Sequence, residues 1–417
     1  MSGLNNILSE NCVVTNKKRT KNCISSPKVA RLLVWEPVKN LGDRTDVSKI
    51  HACVNALIFF YGVLFLFSCN RSSFTAETII DIKVNSSRFE LCDLIDDFIV
   101  VDLEVTEESL LGRIERVIIF NDKIYVHDPL SHSIFIFDYP SGEYIFKISA
   151  RGRGPGEYLR ISSFNVNSEN KIEILDASSK KILRFDENGN FIESKYMQFS
   201  ANDFKYFNEE RNIIFTKNSF EQDLSLNYEI VITDNYNNIL ETYLEVSKFT
   251  STLIKQDFKL SVFNENIVSF LPINSPVVYH IEDSLVVQKY HINFGKNWNT
   301  DFFYTDVNDP RLLDELANRK KLVTGLSKIE TDCKLLICFW YDSKYNISLF
   351  DKKNKFNYLI TSEIINKNDF FLKGVFNDYF IFAVREHSVS NISQFCKLEN
   401  LYKEEFENPS LIIIKFK

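Results

Sequence analysis

The side chains able to do chemistry in this chain are few, and their spacing suits turns better than active sites. Six histidines serve 417 residues, and two of them, His127 and His132, flank the segment VHDPLSH, where Asp128 could join them around a metal ion. No third ligand signal follows, so the segment reads as a solvated turn. Asp186, Asn188 and Asn190 alternate as at the start of a calcium loop, but Phe191 stands where that loop needs glycine and Met197 where it needs glutamate. It reads as a hairpin turn. Hydrolase signatures of the Gly-x-Ser-x-Gly and His-Glu-x-x-His types are missing, and the carboxylate pairs Asp96-Asp97 and Glu404-Glu405 read as solvated faces. These residues predict no catalytic group, no metal and no cofactor.

Cysteine supplies the one reactive position with a clear context. An apolar stretch from Ala52 to Ser68 (ACVNALIFFYGVLFLFS) carries Lys49 and His51 before it and Cys69 just after it. A helix of that length barely reaches the ~20 residues that cross a bilayer, whereas an apolar core behind a basic flank suits an export signal. Leu66-Phe67-Ser68-Cys69 then looks like a bacterial lipobox, in which the Cys69 thiol takes up lipid and the residue becomes the mature N-terminus. An uncleaved anchor helix is the alternative, and both tether the protein. Residues before the stretch hold nine Lys or Arg against four acids, which keeps that end cytoplasmic.

A leader that begins some fifty residues into the chain points to a misassigned start, with translation beginning near Val47. The expected organisation is an N-terminal extension over 1–48, a lipoprotein signal segment and lipobox over 49–69, a polar tether over 70–78, and a folded body over 79–417. Without residues 1–68 the chain keeps 40 Lys and Arg against 52 Asp and Glu, a net charge of −12. Such a body repels nucleic acid. Four cysteines remain in it besides Cys69, namely Cys92, Cys333, Cys338 and Cys396; some could pair in an oxidising envelope, but plain buried cysteines are the expectation. Cys333 and Cys338 share one strand-like run (CKLLICFWY), where their odd spacing points them to opposite faces and disfavours a bridge between them.

The elements that must position these residues are short strands. Phe occurs 37 times and Tyr 18, against 12 Gly and 9 Pro, and the Ile, Val, Phe and Tyr residues fall in short clusters bounded by turn residues. One unit, Ile114 to Ile148, recurs in order at Ile161 to Tyr196. Each has an opening strand, a second ending near Asp, a third ending in Phe-Asp, and a fourth after a glycine hairpin. Ile136-Phe137-Asp138 before Ser141-Gly142 matches Arg184-Phe185-Asp186 before Asn188-Gly189, because Asn, Asp and Gly tolerate the positive φ of tight hairpins. Weaker copies follow at Asp203 to Val246, Phe258 to Gly295, Thr324 to Ile364 and Phe371 to Lys417. Six units of four strands predict an all-β fold, a six-bladed β-propeller of four-stranded antiparallel blades.

Between the fourth and fifth units, Asp309 to Val323 places Leu312, Leu313, Leu316 and Leu322 on a helical face behind an Asp-Pro start, which predicts a short helical insertion. Strand signals at Ile79 to Val84, Phe89 to Leu91 and Phe98 to Val105 precede the first unit. In a propeller one terminal strand completes the blade built by the other terminus, which leaves no open edge. The final SLIIIKFK is expected in that closing blade.

Between the first two units lies Arg151-Gly152-Arg153-Gly154-Pro155-Gly156-Glu157-Tyr158. This GRGPGEY run resembles the hallmark of six-bladed β-propeller lipoproteins of Gram-negative gut-type bacteria, related in architecture to NHL-repeat propellers. The closing Asn408-Pro409-Ser410-Leu411 and the strand to Lys417 resemble the same family, which usually carries a lipobox. The likeness is strong over 114–196 and rests on strand rhythm alone over 200–400; it brings no catalytic residues with it. Three glycines and a proline in five residues predict a tight connector between blades. Arg153 and Glu157 could pair across it, and Tyr158 could plug the next layer between blades. The other reading is an anion held by the glycine amides beside Arg151 and Arg153.

The function expected is that of an envelope-tethered lipoprotein, anchored in the outer membrane through its lipid and facing the periplasm, that binds or scaffolds a protein or glycan ligand. Trp298, Phe302, Phe303 and Tyr304 are candidate contacts for that ligand, and they suit packing of the insertion equally well. The rival is a propeller enzyme, a lactonase-like hydrolase or glycan lyase with a metal at the central channel. A structural subunit of an envelope complex is a third reading.

Overall fold

The computed structural model describes residues 76–208, 211–216, 228–245, 260–263, 267–272, 275–282, 285–304, 310–360, 371–384 and 408–417. Within them the apolar clusters become strands of six separate sheets. Blade 1 holds Arg116–Phe120, Lys123–Asp128, Ser133–Asp138 and Tyr144–Ile148, and blade 2 holds Ser163–Val166, Ile172–Asp176, Lys181–Phe185 and Phe191–Tyr196. Blade 3 follows with Ala201–Asn208, Arg211–Thr216, Tyr228–Asp234 and Ile239–Glu245, and blade 4 with Leu260–Phe263, Ile267–Phe270, Val277–Glu282 and Leu285–Asn293. Blade 5 is Thr324–Glu330, Lys334–Tyr341, Lys344–Asp351 and Phe356–Leu359. Blade 6 takes Phe371–Phe376, Tyr379–Val384 and Ser410–Phe416 from the C-terminal part of the chain and Ile95–Asp102 from the N-terminal part.

Alternation of side chains along each middle strand explains why the sheets stand radially. In Lys334–Tyr341, Leu335 and Ile337 join a core with Val278, Tyr290 and Ile292 of blade 4, while Leu336 and Cys338 join another with Phe380, Phe382 and Ile412 of blade 6. Both faces are therefore buried. The same holds around the ring, with separate clusters between blades 6 and 1, 1 and 2, 2 and 3, and 3 and 4. Each fully buried Ile, Leu or Phe contributes on the order of 2 kcal/mol, so a blade without a neighbour on either face would lose most of its driving force.

The ring is closed by noncovalent pairing of the two ends of the body. Ile95–Asp102 runs antiparallel to Ser410–Phe416, with Ile99 opposite Ile413 and Val101 opposite Leu411. Asn408, itself buried, locks this seam from one end: its side chain accepts from the Leu111 amide at 2.8 Å and donates to the carbonyls of Glu104 and Ser109, both at 2.9 Å. At the opposite, inner edge of blade 6, in the strand Phe371–Phe376, Gly374 faces blade 1 so closely that a Cβ would lie 2.3 Å from the Val117 carbonyl oxygen. Only glycine lets these two strands approach.

The earliest strand signals have a different fate from the closing strand. Thr78–Asp81 adds a fifth, parallel strand to the outer edge of blade 4, with Ile80 opposite Ile292. Phe89 then donates its amide to Leu359 of blade 5 at 2.9 Å, and a helical turn, Leu91–Leu94, buries Leu91 between blades 5 and 6. The strand expected over Phe89 to Leu91 is thus a single bridge followed by a helical turn, because Leu91 and Leu94 must both reach the layer between blades. The whole segment is a strap along blades 4, 5 and 6. The predicted insertion is the helix Pro310–Lys320, and Leu316 and Ala317 turn it toward Leu322 and Phe302. Among the described residues no helix is long and apolar enough to cross a membrane.

Replacing Asn408 with alanine strands one amide and two carbonyls inside the closing seam. We expect a loss of about 2–4 kcal/mol, read as a lower urea midpoint with an unchanged slope.

Candidate functional site

The first strand of each blade lies nearest the axis, and there the polar members of the alternation meet one another. Arg116 of blade 1 holds Asp203 of blade 3 in a bidentate pair at 3.0 and 2.9 Å, and also donates to Ser163 of blade 2 at 2.7 Å. The Ser163 hydroxyl passes on to Asp203 at 2.5 Å. Burial by itself would raise the Asp203 carboxyl, but the charge and hydrogen bonds of Arg116, with help from Lys205 and Ser163, hold it below its usual range. Asn165 of blade 2 donates to the Phe204 carbonyl at 2.6 Å and accepts from the Lys205 ammonium. Burial, reinforced by Arg116, lowers Lys205 to about 8. Three blades are thus joined by one set of charge-assisted hydrogen bonds.

A second polar group joins blades 4 and 5. Lys328, with no exposed surface, donates to Ser261 Oγ at 2.6 Å and to the Ser269 carbonyl at 2.7 Å. Burial pushes its amine down to about 7, against the opposing pull of Glu330. Glu330 meets His280 Nε2 at 3.1 Å and the Lys352 ammonium at 2.7 Å. Burial would raise this carboxyl too, yet the His280 hydrogen bond and the charges of Lys352, His280 and Lys328 outweigh it and bring Glu330 to about 2. An amine near neutrality is chemically usable, as base or nucleophile.

Among the described residues no three His, Cys, Asp or Glu side chains come together as metal ligands. His127 is not on a solvated turn as the sequence suggests. It is buried opposite Arg116, edge-on to Phe164 at 6.2 Å, and burial lowers it to about 4, so it is neutral at pH 7. Blade stacking overrode the turn chemistry. Asp128 is buried as well, and its carboxylate accepts the amides of Gly112, Arg113 and Leu130 at 3.0, 3.2 and 2.8 Å. Asp176 repeats the device in blade 2, accepting from Leu159 at 2.8 Å and Ser178 at 3.0 Å. The aspartates that end the second strands therefore hold the incoming connector of their own blade. Asp186 closes its hairpin by accepting the amides of Asn188 and Asn190 at 3.0 and 2.7 Å, as expected of a turn.

The run Gly152 to Tyr158 forms the connector between blades 1 and 2. Tyr158 is buried in the layer between them, and its hydroxyl donates toward the carbonyls of His132 and Ile148 at 2.9 and 3.2 Å. Glu157 folds back onto the Gly154 amide at 2.7 Å instead of meeting Arg153, and its carbonyl accepts from Lys181 at 2.7 Å. Gly156 adopts φ +77° against the ring of Phe191, where any Cβ would collide. Arg151, Arg153 and Pro155 remain exposed.

The aromatic candidates face inward where their side chains are described. Trp298 stacks on Phe294 with centroids 5.9 Å apart, and Phe302, 3% exposed, packs with Ala317 and Leu322 of the insertion. The side chains of Phe303 and Tyr304 lie outside the described residues, as does Cys69. Cys92 is disulfide-bonded and Cys333 is exposed, so among the described cysteines the expectation of plain buried thiols holds only for Cys338. Cys338 lies between blades 5 and 6 and forms no disulfide; Cys333, likewise outside any disulfide, lies exposed just before that strand. Cys396 is outside the described residues.

Arg116, Asp203, Lys205, Lys328 and Glu330 escape sequence reading because each looks like the polar member of a half-exposed strand. The one local signal is Ser327-Lys328-Ile329-Glu330, two charges two residues apart in an opening strand. Lys328 also has a measurable consequence. Its folded-state amine loses its proton near 7 while the unfolded one keeps it to 10.5, so stability rises with pH across that window. In Lys328→Met we expect urea midpoints to rise less between about pH 7 and 10 than in the parent chain, with the depressed Lys205 amine supplying the rise that remains.

Comparison with known proteins agrees with this architecture. No curated protein matches the chain in sequence. A crystal structure from Bacteroides fragilis NCTC 9343, of a protein described as exported, superposes with a TM-score of 0.68 at 17% identity, over 82% of this chain and 100% of the other. A member of the DUF4221 family from Bacteroides vulgatus gives 0.48 at 10% identity over 78% and 97%, and virginiamycin B lyase from Staphylococcus aureus gives 0.40 at 10% over 76% and 99%. The family profile of DUF5128, 6-bladed beta-propeller, matches residues 68–409, and the chain belongs to that family.

Proposed function

We propose that this chain is a lipid-anchored propeller of the Gram-negative cell envelope, held in the outer membrane by Cys69 and facing the periplasm, that binds or scaffolds a protein or glycan ligand. The observation that carries the reading is the state of the axis. Its acids are engaged from within, Asp203 by Arg116 and Glu330 by His280 and Lys352, so the polar groups there hold blades together. Two further observations support the location. Cys92 is disulfide-bonded, and disulfides persist in oxidising compartments outside the cytoplasm. The Bacteroides fragilis protein of the same fold is described as exported.

The enzyme reading has one observation in its favour, the near-neutral amine of Lys328. Its Nζ, however, spends two donors on blade 4 and is wholly enclosed.

Two measurements test the proposal. Radioactive palmitate supplied to expressing cells should label the membrane-bound chain, and Cys69→Ala should abolish both label and membrane retention. Cross-linking in intact envelopes should trap a discrete partner or glycan on the full chain. Turnover of a lactone or glycan by the purified chain, abolished by Lys328→Met and without any trapped partner, would replace binding with catalysis.

A further inference from the structure

A cleft of about 290 Å³ opens on blade 5 where the N-terminal strap passes the turn between its second and third strands. The strap brings Asn85 and Arg88, and the blade brings Tyr341, Asp342, Lys344 and Asn346. Its volume sits at the lower end of small-molecule sites, which span ~300–1,000 Å³. No single element contains this cleft.

Three groups in it lack what they are built to bind. Arg88 donates to the carbonyls of Ile360 and Val84, at 3.0 and 3.5 Å; among the described residues Lys344 makes no side-chain hydrogen bond and neither cation has a carboxylate partner. The acid of the cleft, Asp342, is already paired with Lys321. Asn346 is 1% exposed; its amide nitrogen donates to the Lys344 carbonyl at 2.7 Å, while Oδ1 is buried with no donor. Buried polar atoms without partners are rare in folded proteins and point to something the site is meant to receive. Two unpaired cations on a body whose net charge is −12 without residues 1–68 are a local departure from the surface around them.

We infer that this cleft binds a carboxylate-bearing sugar unit of the uronic acid type. Arg88 and Lys344 take the carboxylate, Arg88 through the donors its carbonyl contacts leave over. A ring hydroxyl donates to Asn346 Oδ1, and the half-buried Tyr341 ring offers its face to the apolar side of the pyranose. A bare anion would leave Asn346 unsatisfied, and a neutral sugar would leave both cations unpaired. The inference rests on the binding reading above and narrows it to one ligand class at one place.

The test is a calorimetric titration of the full chain in detergent with glucuronic acid, glucose and acetate in parallel. Saturable binding of glucuronic acid, with glucose and acetate at least about tenfold weaker, is the expected result. Lys344→Ala and Arg88→Gln should each weaken it by a similar factor, the first with an unchanged melting temperature because Lys344 is exposed and ties nothing down. Equal binding of acetate means a simple anion site, and equal binding of glucose means no role for the cations; either overturns the inference. So does absence of binding, or parental affinity in Lys344→Ala. If envelope cross-linking still traps a partner on the Lys344→Ala chain after such a result, the sugar assignment alone has failed, whereas loss of both ends the binding reading itself.

Discussion

Every blade in this molecule depends on having a neighbour on each face, and the pairing of Ile95–Asp102 with Ser410–Phe416 is what gives the last blade its neighbour. Without that pair, the surfaces of Val117, Ile119 and Val126 in blade 1 and of Ile381 and Leu411 in blade 6 would face water. The seam is noncovalent, so it is held by register and by side chains that cross it. Asn408 joins three backbone groups of the entering chain, and Ser410 Oγ bonds Asp102 at 2.8 Å. Gly374 removes the one atom that would keep the inner strands apart.

Closure creates a second problem at the centre, where opening strands of different blades converge and cannot all bury apolar side chains against one another. The chain answers with polar groups that satisfy each other across blades: Arg116 with Ser163 and Asp203, Asn165 with Lys205, Lys328 with Ser261. Charges this deep are tolerated only when paired and hydrogen-bonded. Their depressed amines and carboxyls are the electrostatic trace of that arrangement, with Glu330 held near 2 and Lys328 near 7. The same logic leaves Arg116, Asp203, Lys328 and Glu330 occupied by contacts that hold blades together.

The strap before the closing strand runs along three blades. From Thr78–Asp81 on blade 4 the chain passes Phe89 on blade 5 and enters the ring only in blade 6. On the way it supplies one wall of the cleft that holds Arg88, Lys344 and Asn346.

Much of the architecture follows from local chemistry and was legible in the residues. Phe-Asp before Ser-Gly or Asn-Gly specifies hairpins wherever it occurs, and alternation along strands such as Ile134–Phe137 and Ile172–Leu175 marks sheets buried on both faces. Glycines and Pro155 marked the connector, and Tyr158 plugs its layer as the spacing suggested. The rest was decided by the ring. Lys328 and Glu330 have the pattern of an ordinary half-exposed strand, and only placement of that strand at the axis buries them. His127 reads as part of a solvated turn and is interior because blade 2 packs over it, and Phe302, which suits ligand contact and packing equally in sequence, is packed by the helix Pro310–Lys320. Alternation specifies that two faces differ, a property of neighbouring residues. Which face meets water, another blade or the axis depends on segments hundreds of positions away, as Asn408 and Leu111 show by meeting across 297 positions.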